Sequence, residues 1–150
     1  CLDPLQEITL GRILAIDYGT KRTGIAVTDP LRIIPGGLGT VATHELFRFL
    51  ADYFSRERVD IIVVGYPTNM NGEESASMKQ IRPFMEKLKK QYPDKQTVMF
   101  DERFTSVIAQ RAILESGIGR MARRNKALVD EVSATIILES FMDSKQYREI

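Results

Sequence analysis

The run Val59–Gly65, VDIIVVG, limits the possible folds of this 150-residue chain more than any other stretch. It is apolar at nearly every position, so an extended segment here is hydrophobic on both faces and must be covered on both. A parallel strand with helices above and below receives that cover. Arg12–Tyr18 has the same character in Ile13, Leu14, Ala15 and Ile16, a short buried run. Gly19-Thr20-Lys21-Arg22 then makes a tight turn and Gly24–Thr28 returns as a strand, which predicts a hairpin closed off by Asp29-Pro30. Ile33–Val41 contains three glycines and is expected as a third strand with bulges or bends.

Helical spacing follows. Thr43 suits an N-cap, with Glu45 in the first turn, ahead of Leu46, Phe47, Phe49, Leu50, Tyr53 and Phe54. Tyr66–Ser75 is rich in turn formers and reads as a loop. Ser77–Tyr92 is helical by Met78, Ile81, Met85 and Leu88, and Pro83 is expected to kink it or mark a restart. Thr97–Phe100 is a short strand that leads into Asp101-Glu102-Arg103. Ser106–Glu115 is a helix closed by Gly117, Gly117–Lys126 a glycine-rich basic loop, and Ala127–Met142 a last helix. The order βββ-α-β-α-β-α-α predicts an α/β fold: a five-stranded mixed sheet, an antiparallel meander plus parallel strands, with helices on both faces. No repeat or linker divides it. One domain is expected over residues 12–143, with an N-terminal extension at 1–11 and a C-terminal tail at 144–150.

Composition narrows the chemistry. The only cysteine is Cys1, which excludes an internal disulfide and suits a reducing, cytoplasmic setting. His44 is the only histidine, so a Cys/His metal site is excluded and any metal must be held by oxygens, as Mg²⁺ or Mn²⁺ are. His44 itself is expected on the surface at a helix start. No apolar run approaches the length of a membrane span. A net charge of +1 does not by itself announce a nucleic-acid partner, so local clustering must make that case.

Three acids stand out by placement. Asp17 ends the first apolar strand, Glu102 directly follows the last strand, and Asp130 shares a helical face with Ala134, Ile137 and Phe141. If the first, fourth and fifth strands are parallel, Asp17 and Glu102 share the carboxyl edge where open α/β sheets bind ligands. Carboxylates gathered without a partner repel one another. A divalent cation resolves this and can activate water against a scissile phosphate. Each acid also has a plainer reading. Asp17 could pair with Lys21 or Arg22, Glu102 with Arg103, and Asp130 with Lys126 at i−4, a pair worth about 0.3–0.5 kcal/mol if exposed. The case rests on the three acting together. Asp101 is a candidate auxiliary ligand, expected instead on the other side of its strand. Lys21, Arg22, Arg103, Arg111, Arg120, Arg123, Arg124 and Lys126 surround the acids with positive charge. That suits a phosphodiester polyanion, with Lys21, Arg22, Arg103, Arg123, Arg124 and Lys126 as expected nucleic-acid contacts. Aromatic interleaving is absent from the basic loop, so backbone and shape would be read rather than bases.

The segments GRILAIDYGTKRTGIAVTDP, VVGYPTNMNGEESASMKQIRPFMEKL, DERFTS and KALVDEVSATIILESFM together resemble the YqgF (RuvX-type) family, from about Gly11 to Met142. Its members are described both as Holliday junction resolvases and as pre-16S rRNA nucleases. The resemblance implies a ribonuclease H-like fold, a divalent-metal site of Asp17, Glu102 and Asp130, and supporting or substrate contacts from Thr20, Lys21, Arg103 and Thr105. Tyr66, Asn71 and Ser133 depart from the family's usual leucine, aspartate and alanine, and none of them is in the triad. Asn71 argues against a further essential carboxylate in its loop. The implied activity is Mg²⁺-dependent endonucleolytic 5′-end maturation of precursor 16S ribosomal RNA, with a ribosomal particle as partner and a monomer or weak homodimer as the acting form. Resolution of branched DNA is the alternative. Two other classes remain at this point. An actin- or sugar-kinase-like ATPase shares the Asp-x-Gly-Thr turn but needs two such domains. A non-catalytic nucleic-acid-binding protein would use the basic loop alone.

Overall fold

The computed structural model describes residues 11–66, 78–102 and 126–148. Five strands form one sheet in the order β3-β2-β1-β4-β5. β1 (Arg12–Asp17), β2 (Arg22–Thr28) and β3 (Pro35–Ala42) are successive antiparallel neighbours. β4 (Val59–Tyr66) runs parallel to β1, and β5 (Gln96–Asp101) parallel to β4. Among the described residues the helices are α1 (Leu46–Arg56), entered through a 3₁₀ turn at Thr43–Glu45, α2 (Met78–Gln91), α3 (Lys126–Met142) and the short α4 (Lys145–Arg148).

The two apolar runs, β1 and β4, occupy interior places in the sheet because both of their faces are buried. Leu14, Ile16, Ile62 and Val64 point to one side, against Leu46, Leu50 and Tyr53 of α1 and Ile81, Met85 and Leu88 of α2. The alternate residues Ile13, Ala15, Ile61 and Val63 point to the other side, against Ala134, Ile137, Leu138 and Phe141 of α3. These residues are all buried, and the deletion of one such side chain in a close-packed core typically costs about 2–5 kcal/mol. The antiparallel meander, the parallel strands β1, β4 and β5 and the helices on both faces are the mixed α/β architecture predicted from the sequence.

Several local expectations change. β3 begins at Pro35, and its predicted irregularity is a bulge: Ile25 faces Gly39 while Ala26 faces Gly37, so Leu38 is the extra residue. Thr43 does not cap a helix. Its hydroxyl donates to the Gly19 carbonyl at 2.6 Å and accepts from Thr23 Oγ1 at 2.9 Å, so it ties down the turn after β1. Pro83 neither splits nor restarts α2, which runs through it. Its missing N–H costs one backbone bond, and the burial of Ile81, Phe84 and Met85 around it holds the helix in place. Within the expected tail, α4 packs Tyr147 on Phe141 and donates from Gln146 Nε2 to the Met99 carbonyl at 2.9 Å.

The β2–β3 connection is built on Asp29. Its Oδ1 accepts from the N–H groups of Ile33 and Ile34, both at 2.7 Å, and its Oδ2 from Leu31 N at 3.3 Å. Arg32 takes a left-handed backbone conformation, φ 58°, which turns its side chain inward onto the Gly11 carbonyl and Asp60. Leu31, Ile33 and Ile34 are left facing outward.

Candidate functional site

Asp17 is the last residue of β1, and Glu102 stands one residue beyond the end of β5. The parallel registers Asp17↔Gly65, Gly65↔Phe100 and Tyr66↔Asp101 bring both to the same edge of the sheet, as the predicted strand directions require. Alternation sets the faces. Ile13 and Ala15 lie under α3, and Asp17 is next in that series. Phe100 also lies under α3, which turns Asp101 to the opposite face beside Tyr66, and Glu102 follows where the strand ends. Asp17, Asp101 and Glu102 are all buried despite their charge.

The third acid reaches this edge because the sheet lets α3 come close. Gly24 is the register partner of Asp17 on β2, and a Cβ there would overlap the carbonyl carbon and oxygen of Asp130. Gly65, the partner of Asp17 on β4, presses in the same way on the Ile137 side chain, and Gly37 on that of Glu131. Three missing side chains make the groove in which α3 rests, and Asp130 lies directly over the neighbour of Asp17. Ala134, Ile137 and Phe141 are fully buried, which confirms the helical face read from the sequence.

The Asp130 side chain is held by a cation that sequence reasoning had assigned elsewhere. Arg22 Nε donates to Asp130 Oδ2 at 3.0 Å, with the Arg22 side chain 41% and the Asp130 side chain 19% exposed. Arg22 and Gly24 are two apart on β2 and share the α3 face, so the geometry follows from strand alternation. Lys21 is exposed at the turn, and Thr43 N donates to its carbonyl at 2.9 Å. Lys126 is the first residue of α3. Thr20 is exposed in the turn before β2. Arg103, Thr105, Arg111, Arg120, Arg123 and Arg124 lie outside the described residues, as do Asn71, the helix expected at Ser106–Glu115 and nearly all of the Gly117–Lys126 loop.

The donor set suits a hard divalent cation, since Asp17, Glu102 and Asp130 offer only carboxylate oxygens. Among the described residues, however, no group of three or more His, Cys, Asp or Glu side chains is arranged to hold a metal ion. Asp17 ends β1 and Glu102 follows β5 at one edge, and α3 brings Asp130 over the β2 neighbour of Asp17, while the Asp130 carboxylate is engaged with Arg22. Like charges repel, and Arg22 relieves part of that repulsion.

Sequence reasoning missed Arg22 as the partner of Asp130, Thr43 as the brace of the turn, and Gly24 and Gly65 as the floor under α3. The signal for Gly24 was present: an isolated glycine inside a strand marks a close backbone approach. Among the described residues, no helix is long and apolar enough to cross a membrane.

Comparison with known proteins adds a second line of observation. The family model described as RuvX, Holliday junction resolvase, matches residues 11–144. A protein of Porphyromonas gingivalis named "Putative pre-16S rRNA nuclease" is 64% identical over 135 residues, covering 90% of this chain and 98% of that protein. One of the same name from Flavobacterium johnsoniae is 48% identical over 136 residues, covering 91% and 99%. Among solved structures, the fowlpox virus resolvase in complex with Holliday junction DNA aligns with a TM-score of 0.45 and 15% identity over 92% of this chain and 97% of that one.

Proposed function

The chain belongs to the RuvX family of nucleases, and from that premise we propose that it cuts precursor 16S ribosomal RNA endonucleolytically at its 5′ side, in the cytoplasm, with Mg²⁺ or Mn²⁺. The observation that supports this reading is the register that ends β1 at Asp17 and β5 just before Glu102 at one sheet edge, where Gly24 lets Asp130 approach. Asp17, Glu102 and Asp130 are the residues that would hold the ion. A bound divalent ion supplies an activated water and charge to stabilise the leaving oxygen. Asp17, on the central strand between Gly24 and Gly65, is the best placed of the three for an ion's shared ligand. Lys21 and Arg22, at the lip of the same edge, would steer and orient the phosphates through charge that reads backbone rather than sequence.

The test is cleavage of a 5′-extended 16S precursor and of a four-way DNA junction, side by side, by wild type and Asp17→Asn with Mg²⁺ present. Wild type is expected to trim the precursor, and Asp17→Asn to lose at least about 10²-fold in rate while folded. Undiminished cleavage by a folded Asp17→Asn sinks the assignment of the site. The family model's own description favours the second reading, resolution of branched DNA. Cutting two strands of a junction calls for a symmetric dimer, whereas one site suffices for the RNA. Symmetric junction cutting by a dimer, with the precursor left intact, would replace the first reading with the second.

A further inference from the structure

We propose that Arg22 is an exchangeable counterion: it holds Asp130 until a divalent cation takes that carboxylate, and then turns to the substrate phosphate. The inference rests on the reading of Asp17, Glu102 and Asp130 as the metal-holding acids, and goes beyond it by giving Arg22 two alternating partners. Three observations carry it.

First, the contact is made through one guanidinium nitrogen, Nε, at 3.0 Å, and not through a two-pronged fork. A guanidinium has five donors in a plane, matched equally well to a carboxylate or a phosphate, so Arg22 can change partner without changing chemistry. Second, the Arg22 side chain is 41% exposed, which puts the pair among the weak ones that open readily. Third, the backbone beneath Arg22 is fixed. Thr43 N donates to the Lys21 carbonyl at 2.9 Å, and the buried Thr23 donates its hydroxyl to Thr43. The side chain can therefore swing about a stationary Cα, with no movement of the turn. The two partners compete for one charge: the carboxylate that Arg22 holds through Oδ2 belongs to one of the three acids a metal would need, and a cation on it weakens its attraction for Arg22. With no cation Arg22 stays docked on Asp130; with one bound it is released toward the edge where phosphates arrive.

The sign of one measurement separates this role from that of a strut. If Arg22 competes with the metal, its removal strengthens metal binding. If it merely holds Asp130 in position, its removal weakens binding. Mn²⁺ is titrated by calorimetry into full-length wild type, Arg22→Gln and Asp17→Asn. Arg22→Gln is expected to bind Mn²⁺ about two- to fivefold tighter, the range that a partly exposed ion pair can contribute. With Ca²⁺ present to hold cleavage off, it is expected to bind a short RNA duplex several-fold more weakly. In wild type, the Arg22 Nε–Hε NMR resonance is expected to move when Mg²⁺ is added, and to be insensitive to Mg²⁺ in Asp130→Asn. Equal or weaker Mn²⁺ binding by Arg22→Gln, or an Arg22 resonance that ignores Mg²⁺ in wild type, overturns the proposal while leaving the metal reading intact. Failure of the metal reading shows differently: wild type and Asp17→Asn then bind Mn²⁺ alike, and the proposal falls with it.

Discussion

Gly24→Ala is the smallest change that should move the third carboxylate. The added Cβ would overlap the carbonyl of Asp130 and stand 3.1 Å from Glu131 N, and every atom it meets is backbone of α3. No side chain can turn aside, so the helix must lift. Comfortable carbon contacts are about 3.5–4.0 Å, which sets the displacement at about 1 Å or more. Overpacking of this kind costs about 1–3 kcal/mol. For a chain of this size that is a fall in Tm of about 2–12 °C. A displacement of about 1 Å at a reacting centre can cost about 10²-fold in rate. Gly36→Ala is the matched control in the same sheet, because its Cβ would meet only the Val27 carbonyl oxygen, at 4.0 Å. Thermal denaturation and precursor cleavage are measured for both, well below either midpoint for the cleavage. Gly24→Ala is expected to lose stability and rate, and Gly36→Ala neither. Indistinguishable variants would refute the argument that absent side chains seat α3.

Thr43→Val keeps the shape of the brace but removes its hydroxyl. It leaves the Gly19 carbonyl without this donor and is expected to cost about 1–2 kcal/mol by chemical denaturation, with weaker RNA binding as the Lys21 turn loosens. Asp29 gives a pH signature. The Ile34 N–H, opposed by desolvation and joined by those of Ile33 and Leu31, holds its carboxyl below the ordinary 3.8. A folded value below the unfolded one means that its contribution is present above the unfolded value and is lost as the pH falls through the folded one. The amide shifts of Ile33 and Ile34 should follow that titration with a midpoint under 3.8, and a midpoint above it would contradict the hydrogen bonding described.

What the sequence reveals here follows from periodicity. The two-faced apolar runs identify the interior strands, and the parallel direction they imply sets the edge where Asp17 and, after β5, Glu102 emerge. The spacing of Ala134, Ile137 and Phe141 identifies the face that carries Asp130. Contacts between distant segments have no such signature. Arg22 and Asp130 are 108 residues apart and meet only because α3 lies along β2. Thr43 looks like a helix cap because its local sequence suits one, yet its hydroxyl is claimed by a turn two dozen residues earlier. Side-chain preference is local, and tertiary partners override it when they come within reach.

The seating of α3 also orders events in time. Asp17, Gly24 and Gly65 are synthesised early, while Asp130 follows Arg22 by 108 residues. Until α3 exists, Ile13, Ala15, Ala26, Ile61 and Val63 lack the described helix that covers them. The segment that covers this face of the sheet is the one that delivers the last acid, so a nascent or truncated chain without it is both incompletely folded and short of a carboxylate proposed to hold the metal. On the proposed function, an enzyme acting on ribosomal RNA would be kept from cutting while still being made on a ribosome, with no inhibitor required.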